Sequence, residues 1–540
     1  MTTLRALVGT SHSSRSAELL DRLRVFVGAI GPLDGPTSLA DADETCSAAE
    51  AALDGARPEL WWLGLSVLSA RIADTAAVEE SCHAVRRGSP PGAVVVDTLQ
   101  RFGHLEPESW PPVSVHRGGV LVDVDQVSRN PLGTGIQRVV RQTARRWGGN
   151  PETTLVGWAD GYVGLRKLSP AEVAQATDQH ILATDSSPGA GGPGSSFAPL
   201  TGPTGGSGAV LIPWRTTLLV AELAIEDERP SALAGIARFA RSSTGLVGYD
   251  CVPLTMPETT GSGMVQPYMR YLAACAYATR IAAISETAAS EFHGWRSTLA
   301  SRGMSGPEVQ TVELATEVPP SAPPPESTSM GGGRGHAPAL PFAGSDIPLV
   351  VAVGSHEPRK NHMAVLHAAE LLWHRGEEFS LVFIGGNSWN SEPFFDRLDE
   401  LRSKGRRVES LSAAPDHLVS SAYRSAACSV FVSLHEGFGL PIVESLACGT
   451  PVVTSDYGAM AHNARHGGCL LVDPRDPHQI AEAISRVINH DGLRHKLRSE
   501  AAAIAARTWD TYAQEAWDFL VHGRPPSQSM LGKRQTGSAS

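Results

Sequence analysis

The sequence has 540 residues, and at roughly 100–200 residues per domain this length predicts about three or four domains. Apolar residues make up 42% of the chain and charged residues 19%, which excludes a globally disordered protein. The net charge is −11, so we expect no basic face for nucleic acid. We find no signal peptide, no apolar run of about 18 residues and no Cys-x-x-Cys pair. These features predict a cytoplasmic protein without a transmembrane segment, whose seven cysteines are reduced and serve packing.

Residues 1–115 are predicted to form an accessory region that is mostly helical. The stretch 59–88 has apolar side chains at helical spacing, among them Leu60, Leu63 and Val67. Trp61 and Trp62 could form a platform for a carbohydrate, but core packing is the favoured interpretation.

Residues 116–330 are predicted to form an α/β domain with an insert near 185–208, rich in Gly, Ser and Pro, that should be disordered. Its predicted elements are a buried strand at 119–125, a helix at 135–147, apolar segments at 209–224, a helix at 231–243, a strand at 245–254 and a long helix at 268–285.

A linker at 331–346 is predicted to lead to a second α/β domain at 347–505. Its predicted elements are strands at 347–354, 379–386, 428–434 and 450–455, and helices at 362–376, 417–427, from about 440, and 479–490. A last helix at 506–522 and a disordered tail at 523–540 should follow. Alternating strands and helices imply parallel sheets, with a ligand cleft between the carboxyl ends of the two sheets.

The strongest motif is HEGFGLPIVESLACGTPVV at 435–453. Glu436 follows an apolar strand, and Glu444 lies about one turn into the next helix. Glycines between them let a ligand approach the backbone, and free N–H groups near Leu440 suit a phosphate. This pattern fits a nucleotide sugar whose hydroxyls bind the two carboxylates. The alternative, of about equal weight on spacing alone, is that Glu436 caps the helix and Glu444 is solvated.

A second motif is VAVGSHEPRKNH at 351–362, in which a strand ends at Gly354 and two cations follow. Arg359 and Lys360 stand where the next helix begins and could neutralise a leaving diphosphate. An ordinary charged turn is the alternative.

Together these motifs resemble the retaining glycosyltransferases of family 4, which have the GT-B fold of two Rossmann-like domains facing across a cleft. The resemblance covers about 116–520, is most specific in 349–475, and includes TPVVTS at 450–455. VDVDQVSRNPLGTGIQRVVR at 122–141 and VGYDCVPLTMPE at 247–258 are similar to a bacterial polysaccharide subgroup of mannosyl- and rhamnosyltransferases.

The resemblance implies a role for each matching residue. Arg359 and Lys360 would bind the donor diphosphate, Glu436 would hold hydroxyls of the transferred sugar, and Glu444 would hold the ribose. The catalytic residues would thus be Glu436, Arg359 and Lys360. The other residues expected at the donor are Glu444, Gly437, Phe438, Gly439, Leu440 and Gly354. Those expected on the acceptor side of the cleft are Gly133, Thr134, Gly135, Gln137, Arg138, Tyr249 and Asp250.

The function implied by the resemblance is transfer of a hexose, with retention, from a nucleotide diphosphate sugar, GDP-mannose being the first choice. The acceptor would be a saccharide, a lipid-linked sugar or a secondary metabolite, and peripheral membrane contact is open. No cofactor and no metal are expected. Tyr249 stands where many relatives have histidine, so a non-catalytic binding protein is one alternative. Another GT-B enzyme, such as a phosphorylase or a nucleotide-sugar epimerase, is the second.

Three further patterns have metal or donor interpretations that we weigh against structural ones. Asp123-Val124-Asp125 spells Asp-x-Asp, but on the first strand of the domain a structural role is favoured. His462 and His466 have zinc-like spacing without an evident third ligand, so surface histidines are favoured. His356 and His362 flank the Arg–Lys pair and could approach the donor, although packing is favoured.

Overall fold

The computed structural model describes residues 4, 8, 14–31, 41–101, 111–130, 134–177, 208–226, 228–317, 340–412 and 414–526. Gly133, the predicted insert apart from Gly208, most of the predicted linker, and the tail beyond 526 lie outside the described residues.

Five helices form the N-terminal region within 14–101. They are α1 (Ser14–Ile30), α2 (Ala42–Asp54), α3 (Pro58–Ser69), α4 (Thr75–Arg86) and α5 (Pro91–Arg101). Pro58 opens α3 at the position where a missing N–H costs nothing. The rings of Trp61 and Trp62 are fully buried, and their Nε1 atoms donate to the carbonyls of Leu53 and Ala73. The packing interpretation of these tryptophans is confirmed.

A nine-stranded sheet forms the first α/β domain. Its strands are β1 (Val113–His116), β2 (Val120–Asp123), β3 (Thr153–Trp158), β4 (Leu165–Lys167), β5 (Val210–Pro213), β6 (Thr217–Val220), β7 (Ser243–Gly248), β8 (Arg280–Ala283) and β9 (Glu308–Thr311). Their order is β1-β5-β4-β3-β2-β6-β7-β8-β9, and all pairs are parallel except those of β4. β1 begins before the predicted boundary at 115, and the N-terminal helices share one apolar core with this sheet. The accessory region is therefore continuous with the first domain.

The helices of this domain are α6 (Asp125–Arg129), α7 (Gly135–Trp147), α8 (Pro170–Ala176), α9 (Arg229–Phe239), α10 (Val252–Thr255), α11 (Val265–Cys275) and α12 (Glu286–Leu299). The predicted long helix at 268–285 is wrong in its second half. α11 ends at Cys275, and 280–283 is strand β8 between β7 and β9. Since Ile281, Ala282 and Ala283 are buried on both faces of a parallel sheet, their apolar run does not distinguish strand from helix.

A six-stranded parallel sheet forms the second domain. Its strands are β10 (Leu349–Val353), β11 (Ser380–Ile384), β12 (Val408–Leu411), β13 (Cys428–Phe431), β14 (Val452–Ser455) and β15 (Cys469–Val472). The order β12-β11-β10-β13-β14-β15 is that of a doubly wound nucleotide-binding domain. The strand order reverses between β10 and β13, so the loops that follow these two strands flank a crevice.

The helices of the second domain are α13 (His362–His374), α14 (Glu392–Ser403), α15 (Asp416–Ser425), α16 (Leu440–Ala447), α17 (Gly458–Ala464), α18 (Pro477–Asn489) and α19 (Asp491–Ala502). The last helix, α20 (Trp509–His522), packs on α7, β7 and β8 of the first domain. Trp147 Nε1 donates to the carbonyl of Ala513 at 2.9 Å, which fixes this return. The predicted α/β architecture of two Rossmann-like domains with an added helical region is confirmed.

Candidate functional site

The two predicted motifs meet at the crevice between β10 and β13. Arg359 and Lys360 lie in a 3₁₀ turn, Pro358–Lys360, that follows β10, and Glu436 lies in the loop that follows β13. Asn361, in the left-handed region at φ 59°, donates through Nδ2 to the carbonyls of Val432 and Pro474. This side chain fixes the turn against the β13 loop and so holds the cations beside the carboxylate.

The carboxylate of Glu436 is held between both cations. Its Oε2 lies 2.8 Å from Arg359 Nη1, and its Oε1 lies 2.6 Å from Lys360 Nζ and 2.5 Å from the hydroxyl of Ser433. Burial opposes ionisation of Glu436, but the two cations and the hydrogen bonds outweigh it and lower its pKa to about 2. Glu436 is therefore a buried anion, in contrast to the alternative of a simple helix cap.

A second carboxylate, which the sequence analysis did not single out, shares Arg359. Glu357 Oε1 lies 2.5 Å from Arg359 Nη2, and Glu357 is buried. Its position two residues before Arg359 in the EPRK motif was the available signal. The cations of this site are thus paired with Glu357 and Glu436.

The loop 437–439 leads into the free end of α16. Gly439 has φ +90°, which favours glycine, and it brings no side chain to cap the helix. The backbone N–H of Leu440 therefore has no side-chain acceptor from the N-cap, whereas Pro441 has no N–H and the N–H of Ile442 donates to the carbonyl of Gly439 at 3.0 Å. Asn463 Nδ2 donates to the carbonyl of Phe438 at 2.6 Å and holds the loop. Gly354, at the end of β10, faces the aliphatic part of Lys360.

Glu444 is joined to the first domain rather than solvated. Its Oε1 forms a short ion pair with Arg138 Nη1, and Arg138 Nη2 lies 3.0 Å from Asp416 Oδ1. Thr134 and Gln137 form a reciprocal capping box that begins α7, which places Arg138 at the domain interface. Burial raises the pKa of Glu444, and Arg138 opposes this effect. The predicted ribose carboxylate is thus paired with a predicted cleft residue.

The first domain also touches the loop at Gly437. A Cβ on Gly437 would lie 2.4 Å from the carbonyl oxygen of Tyr249, so only glycine allows this approach. On the same interface, Gly135 faces the side chain of Leu440. The hydroxyl of Ser285, at the start of α12, donates to the carbonyl of Gly437. Three parts of the first domain therefore contact the segment 437–440.

Tyr249 does not direct its hydroxyl into the cleft, contrary to the prediction. Its side chain is 5% exposed, and its hydroxyl donates to the carbonyl of Ala221 at 2.6 Å, inside the first domain. Asp250 does face the site. Burial raises the pKa of Asp250, and the nearby charge of Arg359 opposes that rise. The first domain thus presents Asp250, and not the tyrosine ring, to the cluster of Arg359 and Glu436.

The Asp-x-Asp pattern is structural, as favoured. Asp123 is fully buried and accepts from Arg229 Nη2 at 2.9 Å and from Trp158 Nε1 at 2.7 Å. Asp125 accepts from the backbone N–H of Trp158 at 2.7 Å and from Arg129. These partners fix the ends of β2 and β3.

His356 and His362 pack away from the donor site. Their Nδ1 atoms lie 3.1 Å apart, and both rings pack among Phe383 and Phe394. Burial lowers the pKa of His356 to about 4 and that of His362 well below its ordinary value. Both rings are therefore neutral at pH 7.

His462 is an interdomain contact, not an isolated surface histidine. Its Nε2 lies 2.9 Å from Glu313 Oε1, and its Nδ1 lies 3.2 Å from Glu286 Oε2, both in the first domain. These three ligand atoms lie within 4.8 Å of one another. Arg465 Nη2 already lies 3.3 Å from the same oxygen of Glu313, so the guanidinium group of Arg465 occupies the position of a cation beside this cluster.

No helix in the described ranges is both long and apolar enough to cross a bilayer. All seven cysteines lie in those ranges, and none forms a disulfide.

Comparison with known proteins identifies the second domain. Residues 342–503 match the family described as glycosyl transferases group 1. The serotype-specific mannosyltransferase WbdA of Escherichia coli is 26% identical over 417 residues, which are 76% of this chain and 45% of WbdA. The D-inositol 3-phosphate glycosyltransferase of Acidothermus cellulolyticus is 39% identical over 184 residues, which are 32% of this chain and 39% of that protein. The chain spans less than half the length of these relatives. The predicted resemblance to family 4 glycosyltransferases is confirmed.

Among solved structures, Anabaena HepE in complex with UDP and glucose is 14% identical to this chain, with a TM-score of 0.48. The similarity covers 75% of this chain and 99% of HepE.

Proposed function

We propose that this chain, whose residues 342–503 belong to the group 1 glycosyl transferases, is a hexosyltransferase that uses a nucleotide diphosphate sugar. The observation that carries the proposal is the carboxylate of Glu436, held 2.8 Å from Arg359 and 2.6 Å from Lys360 at the switch point of the second sheet. Two cations beside the N-terminus of α16 suit a diphosphate, and a fixed carboxylate suits sugar hydroxyls.

The chemistry that we propose is the one that the resemblance to the retaining family implies. The bond between the sugar C1 and the diphosphate oxygen breaks, and C1 bonds to the acceptor oxygen on the same face, so the anomeric configuration is retained. The acceptor proton passes to the departing diphosphate. Arg359, Lys360 and the backbone N–H of Leu440 at the start of α16 stabilise the charge that develops on the diphosphate. The chain contributes positioning and electrostatic stabilisation, and the proposed reaction needs neither a metal nor a cofactor.

The proposed donor is GDP-mannose, and the proposed acceptor is a saccharide, a lipid-linked sugar or a secondary metabolite. The mannosyltransferase relative supports the choice of donor. Polysaccharide biosynthesis in the cytoplasm is the setting that we propose, and seven cysteines without a disulfide agree with a reducing compartment.

A nucleotide panel tests the proposal. Calorimetric titration of GDP, UDP and dTDP, with and without magnesium, should give one preferred base, and its affinity should not depend on the metal. Arg359→Ala should weaken binding of that nucleotide by roughly tenfold or more, since a charge-assisted contact is lost. Arg486→Ala, at an exposed position on α18, is the matched control.

Transfer from the matching sugar nucleotide to methyl mannosides should yield a product with the donor's anomeric configuration by NMR. No binding of any nucleotide and no release of diphosphate would refute the proposal.

A non-catalytic binding protein is the second candidate. Two observations favour it: the Tyr249 hydroxyl is bound inside its own domain, and Glu357 and Glu436 already balance the cations of the site. Tight binding of a sugar nucleotide without hydrolysis or transfer would select this candidate.

A further inference from the structure

A histidine–glutamate pair joins the two domains beside the donor site. His435 directly precedes Glu436, and its Nε2 is hydrogen-bonded to Oε1 of Glu291 on α12. The other carboxylate oxygen of Glu291 accepts the backbone N–H of Cys251 at 2.6 Å. The side chains of His435 and Glu291 are only 15% and 10% exposed. Glu291 is thus fixed in the first domain and holds the histidine of the second.

His435 is also tied to the proposed diphosphate site through its own backbone. Its carbonyl oxygen accepts from Arg359 Nη1 at 2.8 Å, the same nitrogen that pairs with Glu436. One residue beyond Glu436, the carbonyl of Gly437 accepts from Ser285 at the start of α12. Helix α12 and its N-cap therefore hold the loop on both sides of Glu436, through His435 before it and Gly437 after it.

The charged groups that face the imidazole are mainly acidic. They are Glu291 from α12, Asp250 from the loop after β7, and Glu436 from its own loop, while Arg359 lies against the backbone carbonyl. The hydrogen bond that His435 donates to the Glu291 carboxylate raises the pKa of His435, and burial opposes that rise. Because the pKa is raised in the folded state, the stabilisation is fully present below the ordinary histidine value near 6.5. It is lost as the pH rises through the folded value.

We propose that the His435–Glu291 pair is a proton-dependent interdomain link that positions Glu436 and Arg359 for the donor, so that transfer falls as His435 loses its proton. This inference rests on the proposed hexosyltransferase function and deepens it. His435 is a positioning residue, because it acts through its neighbours and through the closure of α12 on the loop.

The first experiment measures the protonation of His435 and does not depend on catalytic turnover. Histidine ring resonances of the full chain are titrated by NMR, and the His435 signal is identified by its absence in His435→Gln. In Glu291→Gln the midpoint of this signal should fall by about one pH unit or more, since an adjacent opposite charge is removed. Glu258→Gln, at an exposed position of the first domain, should leave it unchanged. An unchanged midpoint in Glu291→Gln would overturn the proposal.

The second experiment measures how the protonation of His435 affects the rate of sugar transfer. In the wild type, kcat/KM for the sugar nucleotide should fall roughly tenfold as His435 deprotonates, the scale of losing one charge-assisted hydrogen bond. Glu291→Gln should move the falling limb to lower pH, and His435→Gln should be about tenfold slower and flat across this range. His293→Gln, at an exposed histidine on the same helix, should behave as the wild type.

The outcomes separate the two proposals. A falling limb that does not move in Glu291→Gln, although the NMR midpoint does, would overturn the positioning role. Lack of turnover by the wild type with every donor would instead refute the proposed function. In that case the affinity for GDP is measured as a function of pH. It should fall over the same pH range, and an affinity that does not change with pH would overturn the proposed interdomain link.

Discussion

Replacing Glu436 by glutamine keeps the shape of a buried side chain and removes its charge. In the folded protein the pKa of this carboxyl is lowered from its ordinary value of 4.5 to about 2. At roughly 1.4 kcal/mol per pKa unit, that shift corresponds to a stabilisation of about 3 kcal/mol at neutral pH. Because the pKa is depressed, this stabilisation is present above the ordinary value and is lost as the pH falls through the folded value. Glu436→Gln should therefore be less stable than the wild type by about that amount at pH 7.

The same substitution should have the opposite effect on nucleotide binding. Without Glu436, Lys360 loses the carboxylate 2.6 Å away, and Arg359 keeps its ion pair with Glu357 and the nearby charge of Asp250. A bound diphosphate then supplies the missing negative charge, so the affinity for GDP should stay equal or rise, by up to roughly tenfold. Sugar transfer should fall by about 10–100-fold, the scale of losing charged hydrogen bonds to sugar hydroxyls.

Three measurements follow these effects in one variant: thermal unfolding, calorimetric titration with GDP, and initial rates of transfer. Saturating GDP should recover most of the lost stability, because it binds only the folded state. Glu392→Gln, at an exposed position in the first turn of α14, is the control for the amide itself. Weaker GDP binding in Glu436→Gln would refute the competition between Glu436 and diphosphate. Turnover at the wild-type rate would refute its role at the sugar.

Three further experiments test the contacts around the site. Gly437→Ala puts a Cβ 2.4 Å from a carbonyl of the first domain and should cut kcat/KM by roughly tenfold or more, while Gly492→Ala, in open space, should not; equal rates would show that the loop can move aside. A double-mutant cycle of Arg138→Ala and Glu444→Ala, read by unfolding, should give a coupling of about 1–3 kcal/mol, and strict additivity would mean that this pair is not formed in solution. Arg229→Met leaves two fully buried carboxylates without their cation and should cost about 3–5 kcal/mol in urea unfolding; a loss below about 1 kcal/mol would contradict the buried ion pairs.

The core of the site was predictable because its residues follow strand ends. Arg359, Lys360 and Glu436 come directly after β10 and β13, and carboxyl ends of neighbouring parallel strands meet at one edge of a sheet. Hydrophobic patterning, which a single sequence carries, identified the two apolar runs as strands. That they are neighbours in the sheet followed from the resemblance to a known fold and not from the patterning.

Contacts between the domains were not predictable in this way. Glu291 and His435 are 144 residues apart, and Arg138 and Glu444 are 306 residues apart. Neither pair follows from a local pattern, because it depends on how two complete sheets dock. The orientation of Tyr249 within the first domain was not predictable either, since its hydroxyl donates to the carbonyl of Ala221 at the end of a neighbouring strand. A polar group can be buried where the fold supplies a hydrogen-bond partner for it, and that partner is not visible in the sequence.

The interdomain contacts fall on residues that also serve the proposed donor. Arg138 occupies Glu444, α12 holds the loop on both sides of Glu436, and the backbone of the first domain rests on Gly437. A donor that uses these groups must exchange contacts between protein atoms for contacts with itself, so its net affinity is a difference between the two sets. Donor binding is therefore coupled to the approach of the two domains by the same residues. Substitutions that weaken only the interdomain partners should change the affinity for nucleotide without any contact to it.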